Sequence, residues 1–425
     1  MTLNKKIYKV WKNLIIPNVT DEAWIEWIES IENYKQRMLT ILEQSDYAIM
    51  PENTHKYNQM LFEILKELNI PFINPNNIIY VDYKQSITSS ILDNYKEIKL
   101  NNKIKNIFPF IHSNKIDDIA NIFNLKISRN STASEIINNK GVAQSELNKL
   151  GVTTPEWKMV YSKKQAEDFF KELKNKWYDI ITFKLKRAAS WMWVYKIKNK
   201  YELQKKIFEH KDELKDWILL DGWIKWKFIS SPNIQYYIWD KPKDDIFIWC
   251  SSQILSNDWT IHLWNISNLE ILKNKKLKEE LKIIRNWIRL NKAYWIVGID
   301  FAIFEDKKTK DQKAYFMEIN WRINWSTHWP IIANKIDQSW KLLDKWAVMN
   351  NIYLPKKMSI NDFINSLQKD KIYYDPSKKQ WIIPTNISAI DEYWKAMVAI
   401  VWKQKEYIKE LTETIEKNYN KQDKE

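Results

Sequence analysis

Glycine is almost missing from this 425-residue chain, and that restricts what its turns can be more than any other feature. Tight turns, helix ends and backbone that approaches a ligand call for positive φ, which glycine adopts without steric cost. At the usual share of about 7%, a chain of this length holds about 30 glycines. This one has 4, alongside 24 tryptophans. Many of the tryptophans stand where turn chemistry is expected: beside aspartates at Trp239 and Trp259, and every fourth residue at Trp321, Trp325 and Trp329. The sequence reads as a chain whose source translates UGA as glycine, written with tryptophan at those codons. The alternative is a truly tryptophan-rich protein that stacks sugars or bases.

The rest of the composition is ordinary. A hydrophobic share of 45% and a charged share of 28% describe a soluble globular protein. The length provides for two or three domains with real cores. A lone cysteine, Cys250, excludes an internal disulfide and fits a reducing cytoplasm. No apolar run reaches the roughly 18 residues of a membrane span, and no apolar signal core opens the chain, so the expectation is cytoplasmic, with no membrane partner. The net charge of +14 comes from lysines dispersed among Asn and Ile along the whole length, a compositional bias rather than a nucleic-acid groove.

Along residues 1–130, strand-like pieces at 14–16, 46–50, 71–74, 107–111 and 125–128 alternate with helical periodicity over 21–44, 54–68 and 116–123. Trp24 and Trp27, three apart, read as genuine core residues of the first helix. This alternation predicts a parallel, doubly wound α/β domain. A second unit, 131–350, opens with one helix over 135–150 that stops at Gly151. Its first lobe, 131–222, mixes strands and helices. The second, 223–350, reads as an antiparallel meander, a helix at 275–290 and a hairpin of 296–304 with 314–320. Residues 351–425 form a smaller α/β unit with strands at 381–383 and 396–401 and a lysine-rich last helix that frays.

Candidate chemistry gathers at strand ends. In FKLKRAASWMW, Lys184 closes a strand before a loop that reads GxG if Trp191 and Trp193 are glycines, which suits a phosphate-covering hairpin. The strand WILLDGW can offer its backbone to an adenine edge and Asp221 to a ribose. Asp300 ends GID, and the paired strand delivers Glu318, Asn320 and Arg322 at alternate positions, hence on one face. Two carboxylates with an amide oxygen suit Mg²⁺, and the guanidinium suits phosphate. The blander reading is capped strand ends with a salt bridge. No Ser-His-Asp or Cys-His arrangement is evident.

These signals, in this order, resemble an ATP-grasp ligase over residues 131–345, with 1–130 similar to a pre-ATP-grasp domain. Within that superfamily the chain is most similar to pheganomycin-type peptide ligases, through Arg37, Met38 and Leu39 as an RxL segment and through 381–401 as part of a small C-terminal domain. The resemblance implies α/β and α+β architecture with a two-lobed ATP-grasp fold and antiparallel sheet. It implies Lys140 and Lys184 on the ATP phosphates, Trp191 and Trp193 at the glycine loop, Asp221 as the hinge carboxylate and Ile224 near the adenine. Asp300, Glu318 and Asn320 then hold Mg²⁺, while Arg322 steadies the acyl-phosphate and tetrahedral states. The implied reaction joins a small carboxylate and an amine, amino acids or peptides, with ATP and Mg²⁺ through an acyl-phosphate. A homodimer is compatible with it. Ser326, Thr327 and His328 fall where a carboxylate site would be lined. Phosphorylation or carboxylation of a small molecule by an ATP-grasp enzyme is the alternative within enzymes, and a non-catalytic, tryptophan-rich binding module the alternative outside them. Bulky indoles in place of the superfamily's glycines are the one departure that touches the ATP site.

Overall fold

A computed structural model describes residues 12–21, 31–83, 85–127, 131–176, 178–185, 194–224, 226–255, 262–306, 308–324, 326–336, 345–355, 357–402, 404 and 406–420. The first unit is built on four parallel strands, β1 (Lys12–Ile16), β2 (Tyr47–Pro51), β3 (Ile78–Val81) and β4 (Ile104–Pro109), in the order β3-β2-β1-β4. Helices α1 (His55–Glu67), α2 (Ile87–Asp93) and α3 (Asn114–Ile122) cover it. Side chains of β1 and β2 split by alternation: Leu14, Ile16 and Ile49 pack with α2 and α3, while Ile15, Ala48 and Met50 pack with α1. Both faces are buried, as parallel sheets require.

The expected strand at 71–74 is not one. Asn74 accepts the Asn76 N–H at 3.1 Å and starts a turn at Pro75, so the strand comes later, as β3. Of the strand expected over 125–128, the described residues 125–127 add only a single bridge, Asn106 to Lys126. Of the long helix expected over 21–44, a 3-10 helix at Ile31–Ile41 is seen, and Trp24 and Trp27 lie outside the described residues.

The second unit opens with α4 (Ser131–Ile137) and α5 (Lys140–Lys149), where one helix over 135–150 was expected. Asn139 breaks it by capping the second helix, its side chain accepting the Val142 N–H at 3.1 Å. Asn138 is turned outward to take the Trp321 N–H at 2.8 Å. The break puts Lys140 on the first turn of α5. Gly151 ends that helix at φ +87°, as expected. A four-stranded antiparallel sheet follows, β5-β8-β6-β7, made of β5 (Trp157–Val160), β6 (Ile181–Leu185), β7 (Val194–Ile197) and β8 (Ile218–Gly222). Helices α6 (Lys163–Asn175) and α7 (Lys200–Glu209), capped by Ser162 and Asn199, pack on it through Phe169, Leu173, Leu203 and Ile207.

The remaining strands form one eight-stranded antiparallel sheet, β13-β12-β9-β10-β11-β14-β16-β15. It comprises β9 (Lys227–Tyr237), β10 (Ile246–Leu255), β11 (His262–Ser267), β12 (Ile296–Glu305), β13 (Gln312–Asn320), β14 (Trp346–Tyr353), β15 (Trp381–Pro384) and β16 (Lys395–Val401). Between them run α8 (Lys275–Leu290), α9 (His328–Ile336), α10 (Ile360–Lys369), α11 (Ser388–Tyr393) and, last, α12 (Glu406–Asn418). Residues 351–425 were expected to be a separate unit. Their strands instead extend the large sheet: β14 pairs with the free edge of β11, and β16, buried along its whole length, pairs with β14. An unpaired β11 edge would leave a row of open backbone groups. The last helix does not hang loose, because Ile408, Leu411 and Ile415 are buried. Among the described residues no helix is long and apolar enough to cross a membrane.

Candidate functional site

The β12–β13 hairpin sets Asp300 directly opposite Glu318, and Gly298 opposite Asn320. A bulge after Asp300 shifts the register there. The Asn320 amide donates to Asp300 Oδ2 at 2.9 Å and to Glu318 Oε1 at 3.1 Å. Its oxygen accepts from Arg322 Nη2 at 3.0 Å. The expectation that Glu318, Asn320 and Arg322 share a face therefore meets a connected set of side chains. Two residues that sequence reasoning passed over hold Asp300 from β9 and from β10 beyond it: Asn233 donates to it at 2.5 Å and Gln253 at 3.0 Å. The one sequence signal, for Asn233 alone, is the period-two row Ser231, Asn233, Gln235, which looks like an ordinary solvated strand face. Glycine is needed at 298, since a Cβ there would stand 1.8 Å from the Asn324 amide and 2.8 Å from that of Asn233.

Two lysines close on this set. Lys140 Nζ lies 2.8 Å from Glu318 Oε2, and Lys184 Nζ lies 2.6 Å from Asp221 Oδ2. Strand β8 runs between β5 and β6, with Asp221 beside Trp157 on one side and Thr182 on the other. Its main chain is thus in the sheet ladder, and the chain leaves the sheet only at Trp223 and Ile224. Ile224 borders the cleft as expected. Trp191 and Trp193 lie outside the described residues.

Burial raises Asp221 above the usual carboxylate range, and the Lys184 charge pulls it partly back. Burial raises Asp300 well above that range, with the neighbouring Glu318 charge adding to it. Glu318 goes the other way. Burial pushes it up, but Lys140, Asn320 and Arg322 together outweigh that and hold it at about 2. Facing carboxylates disfavour each other's charge, and a shared cation would relieve that.

Lys140, Lys184, Asp221, Asp300 and Glu318 share one cleft of about 980 Å³, open solvent included. Its apolar side is made by Leu219, Ile224, Phe228, Leu255, Phe304 and Met317. A flat apolar slot ending in lysines and carboxylates suits a planar ring carrying phosphates. The described residues contain no group of three or more His, Cys, Asp and Glu side chains placed for a metal. The donor set here is two carboxylates and an amide, which fits a hard dication that keeps water or phosphate oxygens as its other ligands. A half-turn of the Asn320 amide would bring its oxygen to the carboxylate side.

The turn after Arg322 is tightly organised. Asn324 N–H donates to Thr327 Oγ1 at 2.7 Å, and Gln235 donates to Ser326 Oγ at 2.8 Å. His328 begins α9 and is 1% exposed. Burial, and after it the Arg37 charge, holds its imidazole neutral. No described tryptophan is exposed, and the indoles of Trp249, Trp295, Trp321 and Trp346 are fully buried, so the described residues offer no stacking platform.

No protein family and no curated protein matches the sequence. Solved structures match the fold. An N5-carboxyaminoimidazole synthetase from Staphylococcus aureus, complexed with ADP, aligns at TM-score 0.58 and 12% identity over 96% of this chain and 98% of that one. The biotin carboxylase domain dimer of the Hydrogenobacter thermophilus 2-oxoglutarate carboxylase, with MgADP, ADP and bicarbonate, aligns at 0.61 and 13% over 97% and 90%. The Aspergillus clavatus N5-carboxyaminoimidazole synthase, with ADP and its aminoimidazole ribonucleotide, aligns at 0.55 and 11% over 96% and 99%. The chain has the ATP-grasp fold along nearly its whole length.

Proposed function

We propose that the protein is an ATP-dependent carboxylate–amine ligase. The observation that carries this reading is the convergence of Asp300, Glu318 and Asn320 with Lys140 and Lys184 in one cleft. The ADP and MgADP bound by structures of the same fold support ATP and Mg²⁺ as its cofactors. Magnesium, held by Asp300, Glu318 and Asn320, would supply charge neutralisation between the β- and γ-phosphates. Lys184 and Lys140 add positive charge along the phosphates, and the apolar wall with Ile224 takes the base. Arg322, tied to Asn320, orients the incoming carboxylate beside the terminal phosphate.

The carboxylate oxygen bonds to the γ-phosphorus as the bond to the β-phosphate oxygen breaks and ADP leaves. An amine then attacks the acyl carbon, phosphate departs, and the nitrogen sheds one proton. No side chain acts as nucleophile, so positioning and electrostatics supply the rate. We take the joined substrates to be amino acids or peptides, as the resemblance to pheganomycin-type ligases through Arg37, Met38 and Leu39 suggests. Incubation with ATP, Mg²⁺ and pooled amino acids is expected to yield ADP and a product whose mass is two substrates less water. ADP release that needs bicarbonate in place of an organic acid, with a product one carboxyl group heavier than its acceptor, would favour carboxylation, the chemistry named for the fold neighbours.

We further infer that many of the tryptophans are glycines in the protein as its source makes it. Trp394 sits at φ +48° just past α11, the left-handed position where helices usually end on glycine, and Trp381 sits at φ +97°. The buried indole N–H groups of Trp249, Trp329 and Trp346 make no hydrogen bond, although a buried indole N–H usually finds a partner. Peptide masses of the protein from its source decide the matter. Glycine is expected at 381 and 394, and tryptophan at both positions would refute the reading.

A further inference from the structure

Strands β13, β12 and β9 lie side by side, and the face that carries the metal candidates continues across all three. Glu318 stands opposite Asp300, and Asp300 opposite Asn233. In the next row Asn320 stands opposite Gly298, and Gly298 opposite Gln235. Directly opposed residues share a face, as do residues two apart on one strand. Gln235 therefore belongs to the same face as Asp300, yet it is 0% exposed, too deep to meet a ligand in the cleft itself. A fully buried glutamine on that face calls for an account of what its amide does.

A chain of amides crosses the face from Gln235 to Asp300. Asn233 Nδ2 donates to Asp300 Oδ1, and Gln235 Nε2 donates to Asn233 Oδ1 at 2.6 Å. The same Gln235 nitrogen donates to Ser326 Oγ at 2.8 Å. The direction of the chain is fixed at its Asp300 end. An ionised carboxylate only accepts, so Asn233 must turn its nitrogen to Asp300 and its oxygen away. That oxygen needs a donor, and Gln235 supplies it, spending its second N–H on Ser326. The Gln235 oxygen is buried without a partner, which costs free energy, so the pair of N–H groups is what this residue contributes. Gly298, lacking a side chain, leaves the room in which the Asn233 and Asn324 amides sit.

The two oxygens of Asp300 are used differently. Oδ1 takes the amides of Asn233 and Gln253, whereas Oδ2 takes that of Asn320. The Asn320 nitrogen also reaches Glu318 Oε1, so Asp300 Oδ2 and Glu318 Oε1 already share one donor. We propose that Gln235 is a positioning residue for the cation: by orienting Asn233 it pins Asp300 Oδ1 and keeps Oδ2 on the side of Glu318 and Asn320. The proposal rests on the reading of Asp300, Glu318 and Asn320 as Mg²⁺ ligands. Without the Gln235 donor, Asn233 is free to make a half-turn that sets its oxygen against Asp300, and the carboxylate loses its fixed place. Through Ser326 the same glutamine ties this carboxylate to the turn after Arg322.

The test uses the full chain made with its own code and measures ADP binding by calorimetry, in Mg²⁺ and in EDTA. Gln235→Met keeps the length of the side chain and removes both donors, while Asn233→Ala removes the amide they orient. The gain in ADP affinity that Mg²⁺ brings to the wild type is expected to fall about tenfold in either variant. Affinity in EDTA is expected to match the wild type, which a general loosening of the fold would not allow. Because Gln235 acts through Asn233, the double variant is expected to lose no more than Asn233→Ala alone. Should Gln235→Met fail to fold, Gln235→Leu carries the comparison. A Mg²⁺ gain that survives the loss of Gln235, equal losses in Mg²⁺ and EDTA, or losses that add in the double variant would each overturn the proposal. A wild type whose ADP binding ignores Mg²⁺ refutes the metal reading itself, and the proposal with it.

Discussion

Two lysine–carboxylate pairs face the same cleft, and they are not alike. Lys184 and Asp221 come from neighbouring strands of one small sheet, with side chains 9% and 3% exposed. Lys140 and Glu318 come from the first turn of α5 and the end of β13, with side chains 13% and 24% exposed. The first pair is closed within its lobe. In the second, the carboxylate is also engaged by Asn320 and stands opposite Asp300, so on the proposed function a cation bound there would take Glu318 over and release Lys140 toward phosphate. The same ion-pair chemistry would support the site in one place and be given up on binding in the other.

The largest expected effect is Glu318→Gln. Losing a metal ligand should lower ATP turnover on the order of 10³-fold, about 4 kcal/mol of barrier, while thermal unfolding changes little. Turnover unchanged by this substitution would break the comparison at its functional end. Next is Lys184→Met, which leaves Asp221 buried beside an apolar group. A stability loss of about 3 kcal/mol, measured by urea unfolding, is expected along with weaker ADP binding. Lys140→Met should separate the two pairs most cleanly, with stability within about 1 kcal/mol of wild type because its partner is partly solvated, but ADP affinity in Mg²⁺ reduced about tenfold. Equal stability losses for both lysines would show the pairs to be equivalent.

A pH-dependent effect concerns Lys35, which burial lowers from 10.5 to about 7 although Asp21 pulls it back. Its folded value lies below its unfolded one, so between about pH 7 and 10.5 the unfolded chain binds more protons. Stability should therefore rise with pH through that window and level off at its lower value beneath it. Lys35→Met is expected to flatten the slope between pH 7 and 9, read from urea midpoints. An unchanged slope would assign it to other groups.

How much of this could be read in advance follows from the physics of each part. The clustering of Asp300, Glu318, Asn320 and Arg322 was legible because alternate residues of a strand share a face and the paired strand brings Asp300 opposite. Asn233 and Gln253 were not, since amides on a strand face look like ordinary solvated positions in a chain full of Asn. The break at Asn138–Asn139 was hidden for the same reason, although it is what positions Lys140. The large sheet's growth through β14, β16 and β15 depends on long-range pairing that no local pattern reports. The docking of the Ile31–Ile41 helix on α9 is also a tertiary event.

The measurement that tests the central claim most directly traps the activated acid. The protein from its source, given ATP, Mg²⁺, hydroxylamine and each amino acid in turn, should release ADP in step with hydroxamate for at least one amino acid, and Glu318→Gln should form neither. ADP release that ignores every amino acid and yields no hydroxamate, or equal turnover by Glu318→Gln, would contradict a carboxylate–amine ligase built on this strand.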